Sequence, residues 1–193
     1  MTNSLLYETY GTSGTQLSKH LLSYSDESIA FIAFHEATHQ HIRSKAKIPY
    51  SIVESVCDVV GNYGTLNLFS ENKKFSKRKA KKQIQQIESI AFKINRLINN
   101  TELELDNSKL TKEIEKLNKK KNKFKIERYD YEINNAYLIR NKSYTQYYFK
   151  LKSLFTLIGD LKEFIEFINN LPKNESECIL EIDKKIKILK KIQ

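Results

Sequence analysis

The chain has 193 residues, of which 40% are hydrophobic, so it can build one domain with a substantial core, and wholesale disorder is excluded. Five glycines and two prolines argue against a loop-rich β sandwich or barrel and predict a mainly α fold with long helices. The formal net charge of +10 raises nucleic acid, anionic membranes and acidic substrates as partners. Two cysteines are too few for a disulfide scaffold.

The N-terminal segment carries the only strand signal, at residues 5–10, before a turn-forming run. It has no basic region followed by a long apolar stretch, and no apolar run reaches the roughly 18 residues that span a bilayer. We therefore expect a soluble, cytoplasmic chain. The first helix is predicted from the cap-like Ser25 through Ile42, about 16 residues, and a connector at 44–50 follows it.

The remaining elements are also predicted to be helical. The S-x-x-E pattern at 51–54 predicts a capping box that opens a second helix to about Ser70. Apolar residues at helical spacing then predict a helical hairpin with a break at 99–101. Two or three more helices are expected after it, with breaks at 159–160 and Pro172.

These elements suggest a single domain over residues 1–193, because no linker is flexible enough to separate two units. We expect it to have three parts. They are a zinc-site portion at 1–70, a basic helical hairpin at 71–128, and C-terminal helices at 129–193 that pack on the site.

The first predicted helix contains the pattern H-E-x-x-H at residues 35–39. His35 and His39 are four residues apart, so they share one helix face and can both reach a single zinc ion. Glu36 then lies beside the metal, where it can take a proton from a water molecule as a general base. The helical context is the one that this pattern requires.

A third ligand is needed, and Glu54 is the best candidate, because the short connector folds the second helix back antiparallel to the first. Asp58 lies on the same face and is placed to hold the second ring nitrogen of a ligand histidine. Alternatively, Glu54 is only the capping-box glutamate of its helix. Cys57 is expected on a different face and packed in the core. His41 is about 200° from His39 around the helix and is expected outside the ligand set.

Three blocks of the sequence resemble a known family. They are Y-E-T-Y-G at 7–11 with L-S at 17–18, then F-H-E-A-T-H-Q at 34–40 with V-E-S at 53–55, and a distant block from N-N-A-Y-L at 134–138 to Phe164. They are similar to the bacterial predicted-aminopeptidase family of zinc peptidases, which belongs with the thermolysin-like gluzincins. The likeness covers roughly residues 5–170.

This resemblance implies an aminopeptidase-like, zinc-dependent hydrolase with a peptide substrate and one Zn²⁺ per chain. It assigns the zinc to His35, His39 and Glu54 and the catalytic base to Glu36. The tyrosines near its end are either ordinary core or the source of a phenol that stabilises the substrate oxyanion. The further site residues expected from the likeness are Tyr144 or Tyr147 as the oxyanion donor, and Tyr7, Asn134 and Asn135 as substrate-binding residues.

The chain also departs from this family. Members carry a long N-terminal portion with an export or lipoprotein signal, so the likeness leaves an exported or lipid-anchored form open. Only the stretch near Tyr7 can contribute to the sheet that holds a peptide substrate. We therefore expect an unpaired strand edge beside the zinc helix, and weak activity unless the sheet is completed.

The alternative function is that of a catalytically weak or inactive, truncated relative that acts as a basic helical binding module. The lysine runs at 73–82 and 119–125 would suit an RNA or phospholipid surface. They carry no readout motif, so sequence-specific nucleic acid binding is not expected. A solvated face of a long hairpin is the favoured interpretation of these runs.

Overall fold

The computed structural model describes residues 21–45, 47–71, 76–101, 107–124 and 132–192, and within these ranges the regular structure is entirely helical. The mainly α prediction is confirmed, while the strand and sheet edge predicted near Tyr7 lie outside these ranges. None of the described helices is long and apolar enough to cross a membrane. After a 3₁₀ turn at Leu21–Ser23, the helices are α1 (Asp26–Lys45), α2 (Tyr50–Glu71), α3 (Lys77–Thr101), α4 (Asn107–Phe124), α5 (Asn135–Thr145), α6 (Tyr148–Ile158), α7 (Leu161–Asn169) and α8 (Glu175–Ile192).

Helix α1 begins where its sequence predicts. The Ser25 hydroxyl accepts a hydrogen bond from the backbone N–H of Ser28 at 3.4 Å, and the Ser25 carbonyl accepts from Ile29 at 3.0 Å. Ser25 therefore caps the helix, as expected of serine at this position. The helix runs for 20 residues, slightly longer than predicted, and carries the whole H-E-x-x-H pattern.

The start of α2 corrects one expectation. The Pro49 carbonyl accepts the first two hydrogen bonds of the helix, both at 3.1 Å. The Ser51 hydroxyl does not close a capping box; it donates to Glu175 Oε1 at 2.5 Å, across to α8. Glu54 consequently lies in the second turn of α2, and its capping interpretation is wrong because the carboxylate faces histidines of α1 instead.

Two glycines let α1 and α2 approach closely. A Cβ atom at Gly61 would lie 2.7 Å from Phe31 Cε2, and one at Gly64 would lie 2.5 Å from Phe34 Cγ. Both separations are shorter than two carbon atoms tolerate. The rings of α1 therefore occupy space that any larger residue of α2 would fill, and this packing sets the distance between the two helix faces.

The predicted hairpin forms from α3 and α4. Its buried face follows the predicted periodicity and consists of Ile84, Ile87, Ile90, Ala91, Ile94, Leu97 and Ile98 on α3, with Leu110 and Leu117 on α4. The predicted break at 99–101 is not observed, since α3 continues to Thr101. Residues around the start of α5 complete this core, and the Asn118 side chain pairs with both the N–H and the C=O of Ile133 at 2.8 Å.

Helices α5 to α8 follow, one more than the largest number predicted. The predicted break after α6 is observed: Gly159 ends α6 with φ +76°, and Asp160 caps α7 by accepting from the Glu163 N–H at 2.8 Å. A further break at Gln146 and Tyr147 separates α5 from α6. Helix α2 packs against α1, α3, α5 and α6 and is the centre of the described fold.

Candidate metal centre

Two imidazole rings of α1 face one another inside the fold. His35 and His39 have only 8% and 5% of their surface exposed, and their Nε2 atoms are 3.1 Å apart. The ring centroids are 4.8 Å apart in an edge-to-face arrangement. The four-residue spacing predicts that both rings leave the same helix face, and the structure brings the same nitrogen of each ring to one point.

The carboxylate of Glu54 meets both rings from α2. Its Oε2 lies 3.5 Å from His35 Nε2, and its Oε1 lies 3.3 Å from His39 Nε2. The residue is only 2% exposed. Burial raises the pKa of Glu54, but hydrogen bonds with the two histidines outweigh it and bring the pKa down to about 2. The group is therefore a carboxylate at neutral pH, which is the form that binds a metal.

The other nitrogen of His35 contacts a second carboxylate. Nδ1 lies 3.0 Å from Asp58 Oδ1, one helical turn beyond Glu54 on α2. Ligand histidines usually donate their second N–H to such a group, and this fixes which nitrogen faces the metal. The Nδ1 atoms of both histidines are buried, and the 3.0 Å contact of His35 with Asp58 does not have hydrogen-bond geometry.

The spacing of these atoms suits a small divalent cation. Bonds of about 2.0–2.2 Å at tetrahedral angles place two nitrogen or oxygen ligands about 3.3–3.6 Å from each other. The three contacts among His35, His39 and Glu54 measure 3.1, 3.3 and 3.5 Å. These separations are close to those between ligands of one small divalent cation, and Glu54 makes its two contacts through different oxygens.

Cys57 also belongs to this centre. It is fully buried, and its Sγ lies within 4.8 Å of a ring nitrogen of each histidine, so the group of His35, His39 and Cys57 could hold a metal ion. Cys57 is buried, as expected, but the prediction that it lies on a different helix face from Glu54 is wrong. A residue three positions after Glu54 lies only about 60° from it around the helix, and this spacing could have identified the cysteine.

Glu36, the predicted base, is partly buried and follows His35 on α1. One residue turns the helix by about 100°, so Glu36 flanks the face that carries the two histidines. His41 is exposed, which agrees with its expected place outside the ligand set.

The end of α5 brings Tyr144 to the site. The Ser55 hydroxyl donates to the Tyr144 carbonyl at 3.4 Å, which joins this end of α5 to the turn of α2 that follows Glu54. Burial and the negative charge of Glu54 raise the pKa of Tyr144 to about 12. The phenol is therefore protonated at neutral pH and can donate a hydrogen bond.

Tyr50 is a site residue that the sequence analysis did not identify. Although 55% of its surface is exposed, partial burial and hydrogen bonds with Tyr144 and Glu54 raise the pKa of its hydroxyl. It precedes Glu54 by one helical turn, and that spacing is the signal that could have revealed it. The two phenols and the Glu54 carboxylate form one cluster.

Tyr147, the second oxyanion candidate, has different partners. Its hydroxyl accepts from Gln146 Nε2 at 2.8 Å, and burial together with a hydrogen bond to Glu175 raises its pKa to about 12. Glu175 is the first residue of α8. Tyr147 lies in the break after α5, so its side chain reaches α8, and the geometry favours Tyr144 over it.

The two asparagines expected to bind substrate lie at the other end of α5. Asn134 caps that helix, with its Oδ1 accepting from the Tyr137 N–H at 2.9 Å, and Asn135 is exposed in the first turn. At 1.5 Å per residue they lie about 14–15 Å along the axis from Tyr144. The structure thus gives Asn134 a capping role, and Tyr7 lies outside the described residues.

A buried polar network continues along α2 beyond Asp58. Asn62 Nδ2 donates to the Tyr148 hydroxyl at 2.7 Å, and that hydroxyl donates to Glu88 Oε1, also at 2.7 Å. Lys152 Nζ lies 2.5 Å from the same Glu88 oxygen. Burial and the Glu88 charge raise the pKa of Tyr148 well above its ordinary value. These contacts join α2, α3 and α6 behind the site.

The centre thus combines two imidazoles, a carboxylate and a thiol in a buried position, next to two phenols. Imidazole and carboxylate together suit zinc and related divalent ions, and a thiolate strengthens the preference for zinc. No protein-family model, characterised protein or solved structure matches the chain.

Proposed function

We propose that the protein is a zinc-dependent, aminopeptidase-like peptidase in which Glu36 is the general base. One observation supports this most: two imidazole nitrogens and a carboxylate converge at 3.1–3.5 Å from one another in a buried site. Three protein ligands of this kind leave one position for a reactant, which is the arrangement of catalytic zinc sites.

His35, His39 and Glu54 would hold the metal. When bound, zinc polarises a carbonyl and lowers the pKa of water to about 7. Asp58 keeps the Nδ1 side of His35 occupied, so that Nε2 is the nitrogen left for the metal. The low pKa of Glu54 keeps its carboxylate charged over the whole neutral range.

Two other side chains would act directly in the reaction. Glu36 would transfer a proton, and Tyr144 would stabilise the negative charge of the oxyanion. Glu36 takes a proton from the attacking water and passes it to the leaving amine as the peptide bond breaks. Tyr144 is protonated at neutral pH, as any phenol with a pKa of about 10 or above is, so it can donate to the oxyanion of the attacked carbonyl. Tyr50 holds Tyr144 beside Glu54 through its two hydrogen bonds.

The test is to purify the full chain without chelator, to measure zinc per chain by mass spectrometry, and to assay a library of short peptides. We expect one zinc per chain and hydrolysis that a chelator abolishes. His39→Ala should lose both zinc and turnover, because it removes one of two neutral nitrogen ligands. A native chain with zinc near zero would overturn the proposal.

A second candidate is a basic binding module whose metal site does no catalysis. Helices α3 and α4 together carry 14 basic and 3 acidic residues, an observation that favours a polyanionic partner. Stoichiometric zinc without turnover on any peptide, together with binding to heparin that weakens steeply with salt, would favour this function. Turnover that depends on Glu36 would exclude it as the main role.

A further inference from the structure

We propose, on the basis of the zinc peptidase proposed above, that Cys57 is a fourth ligand of the metal in the resting protein. Its thiolate would close the position that a substrate or water must use. The chain would then hold its metal in an inactive, four-ligand state until the thiolate leaves.

The position of Cys57 supports this role. Its exposed fraction is 0%, and its Sγ lies within 4.8 Å of ring nitrogens of both His35 and His39. Sulfur and nitrogen ligands of one tetrahedral zinc lie about 3.5–3.6 Å apart, given bonds of about 2.3 and 2.0–2.1 Å. A change of one side-chain rotamer moves Sγ by up to about 3 Å, so the cysteine can reach the ion while α2 stays in place.

The register of α2 also supports it. Glu54, Cys57 and Asp58 follow the i, i+3, i+4 spacing, so all three lie on the stripe of α2 that faces the histidines. Glu54 contacts both rings, and Asp58 contacts the far nitrogen of His35. Cys57 lies between them in the sequence, and its Sγ is within 4.8 Å of a ring nitrogen of each histidine.

The chemistry of the thiol favours ligation. Zinc is borderline soft and binds thiolate strongly, and sites with four protein ligands including cysteine are closed. Binding replaces the thiol proton, which passes to solvent. The consequence is that any substrate or activating partner must displace the sulfur before the metal can take part in hydrolysis.

The experiment uses the full chain, stripped of metal and titrated with Co²⁺ alone. We expect a sulfur-to-cobalt charge-transfer band in the near ultraviolet that saturates at one Co²⁺ per chain. Cys57→Ser should lose the band completely and still bind one Co²⁺ through His35, His39 and Glu54. Loss of the band without loss of the metal separates ligation from a packing role.

Cys178→Ser is the matched control. Cys178 is also fully buried, but it lies on α8 and its Sγ donates to the Pro172 carbonyl at 2.9 Å. This variant should keep the band at native intensity. If Cys57→Ser fails to fold by circular dichroism, X-ray absorption of the native zinc form decides, because it counts sulfur at about 2.3 Å without any substitution.

The outcomes are distinct. One bound Co²⁺ without the band, or zinc without a sulfur neighbour, overturns the fourth ligand and leaves the three-ligand peptidase intact. A native chain that binds neither ion overturns both proposals. A band that persists in Cys57→Ser and disappears in Cys178→Ser would also overturn the assignment.

Discussion

The carboxylate of Asp58 lies 3.0 Å from His35 Nδ1, while Glu54 lies next to Nε2 on the other side of the same ring. Asp58→Asn should therefore weaken zinc binding about 10–100-fold, because an amide holds the ring less firmly than a carboxylate and does not favour the N–H at Nδ1. The measurement is a competition titration with a chromophoric chelator. Asp183→Asn is the control. Asp183 lies on α8, is exposed, and forms an ion pair with Lys150 of α6. Native affinity in Asp58→Asn would remove this residue from the site.

Glu36→Gln separates the base from the ligands. The variant should keep one zinc per chain and lose activity by about 10²–10⁴-fold, because the amide cannot accept the proton from water. Zinc content and peptide turnover are measured on the same preparation. A variant that loses its zinc would contradict the role, since it would make Glu36 a ligand.

Tyr144→Phe and Tyr147→Phe discriminate between the two oxyanion candidates. Removing one hydrogen-bond donor to an oxyanion lowers kcat by about 10²–10³-fold, and we expect this for Tyr144→Phe. Tyr147→Phe should leave kcat close to native, because its hydroxyl bonds to Gln146 and Glu175. The reverse order of effects would contradict the assignment of Tyr144 as the oxyanion donor.

Gly64→Ala should lower the free energy of unfolding by about 1–3 kcal/mol, although alanine is the better helix former by about 1 kcal/mol. The added Cβ would lie 2.5 Å from Phe34 Cγ, so α1 and α2 must separate. Urea unfolding measures the loss, and zinc affinity should fall with it because the ligands come from both helices. Phe34→Leu in the same chain should recover part of both losses. Unchanged stability in Gly64→Ala would contradict the close approach.

Alkaline pH tests the network behind the site. The pKa of Tyr148 is raised in the folded chain above 10.0, so its contribution to stability is fully present below pH 10. This contribution is lost as the pH rises above 10, because the Tyr148 phenol ionises at a lower pH in the unfolded chain than in the folded chain. Tyr148→Phe should cost about 1–3 kcal/mol at neutral pH, since it leaves Asn62 and Glu88 without this partner.

Between pH 8 and pH 11, the free energy of unfolding of Tyr148→Phe should fall less than that of the native chain. The difference between these two decreases is the quantity that tests the prediction. Urea unfolding at the two pH values supplies it. Parallel pH profiles of the native chain and Tyr148→Phe would show that another tyrosine dominates the alkaline loss.

The proximity of His35, His39 and Glu54 could be predicted because the sequence information for it is local. Four-residue spacing on one helix places His35 and His39 together, and a short connector returns the chain so that Glu54 can meet them. The core face of α3 was predictable for the same reason, since burial follows helical periodicity. In both cases a regular helix converts sequence spacing directly into position.

The other features depended on contacts between distant segments. Nothing near Gln146 marks a break with glycine or proline, so the turn that separates Tyr144 from Tyr147 is set by packing against α2 and α8. The capping role of Asn134 was not predicted, because a cap and a ligand-binding amide have the same sequence signature. Tyr50 was missed because a tyrosine at a helix start carries no signal of its own.

The candidate metal ligands and Asp58 all belong to the consecutive helices α1 and α2. They lie within a span of 24 residues, from His35 to Asp58, in a chain of 193 residues. Contacts between close neighbours in the chain cost little loop-closure entropy and form early in folding. The ion could therefore join α1 to α2 while the C-terminal helices are still unfolded, and metal supply during synthesis would then influence how quickly the chain reaches its native state.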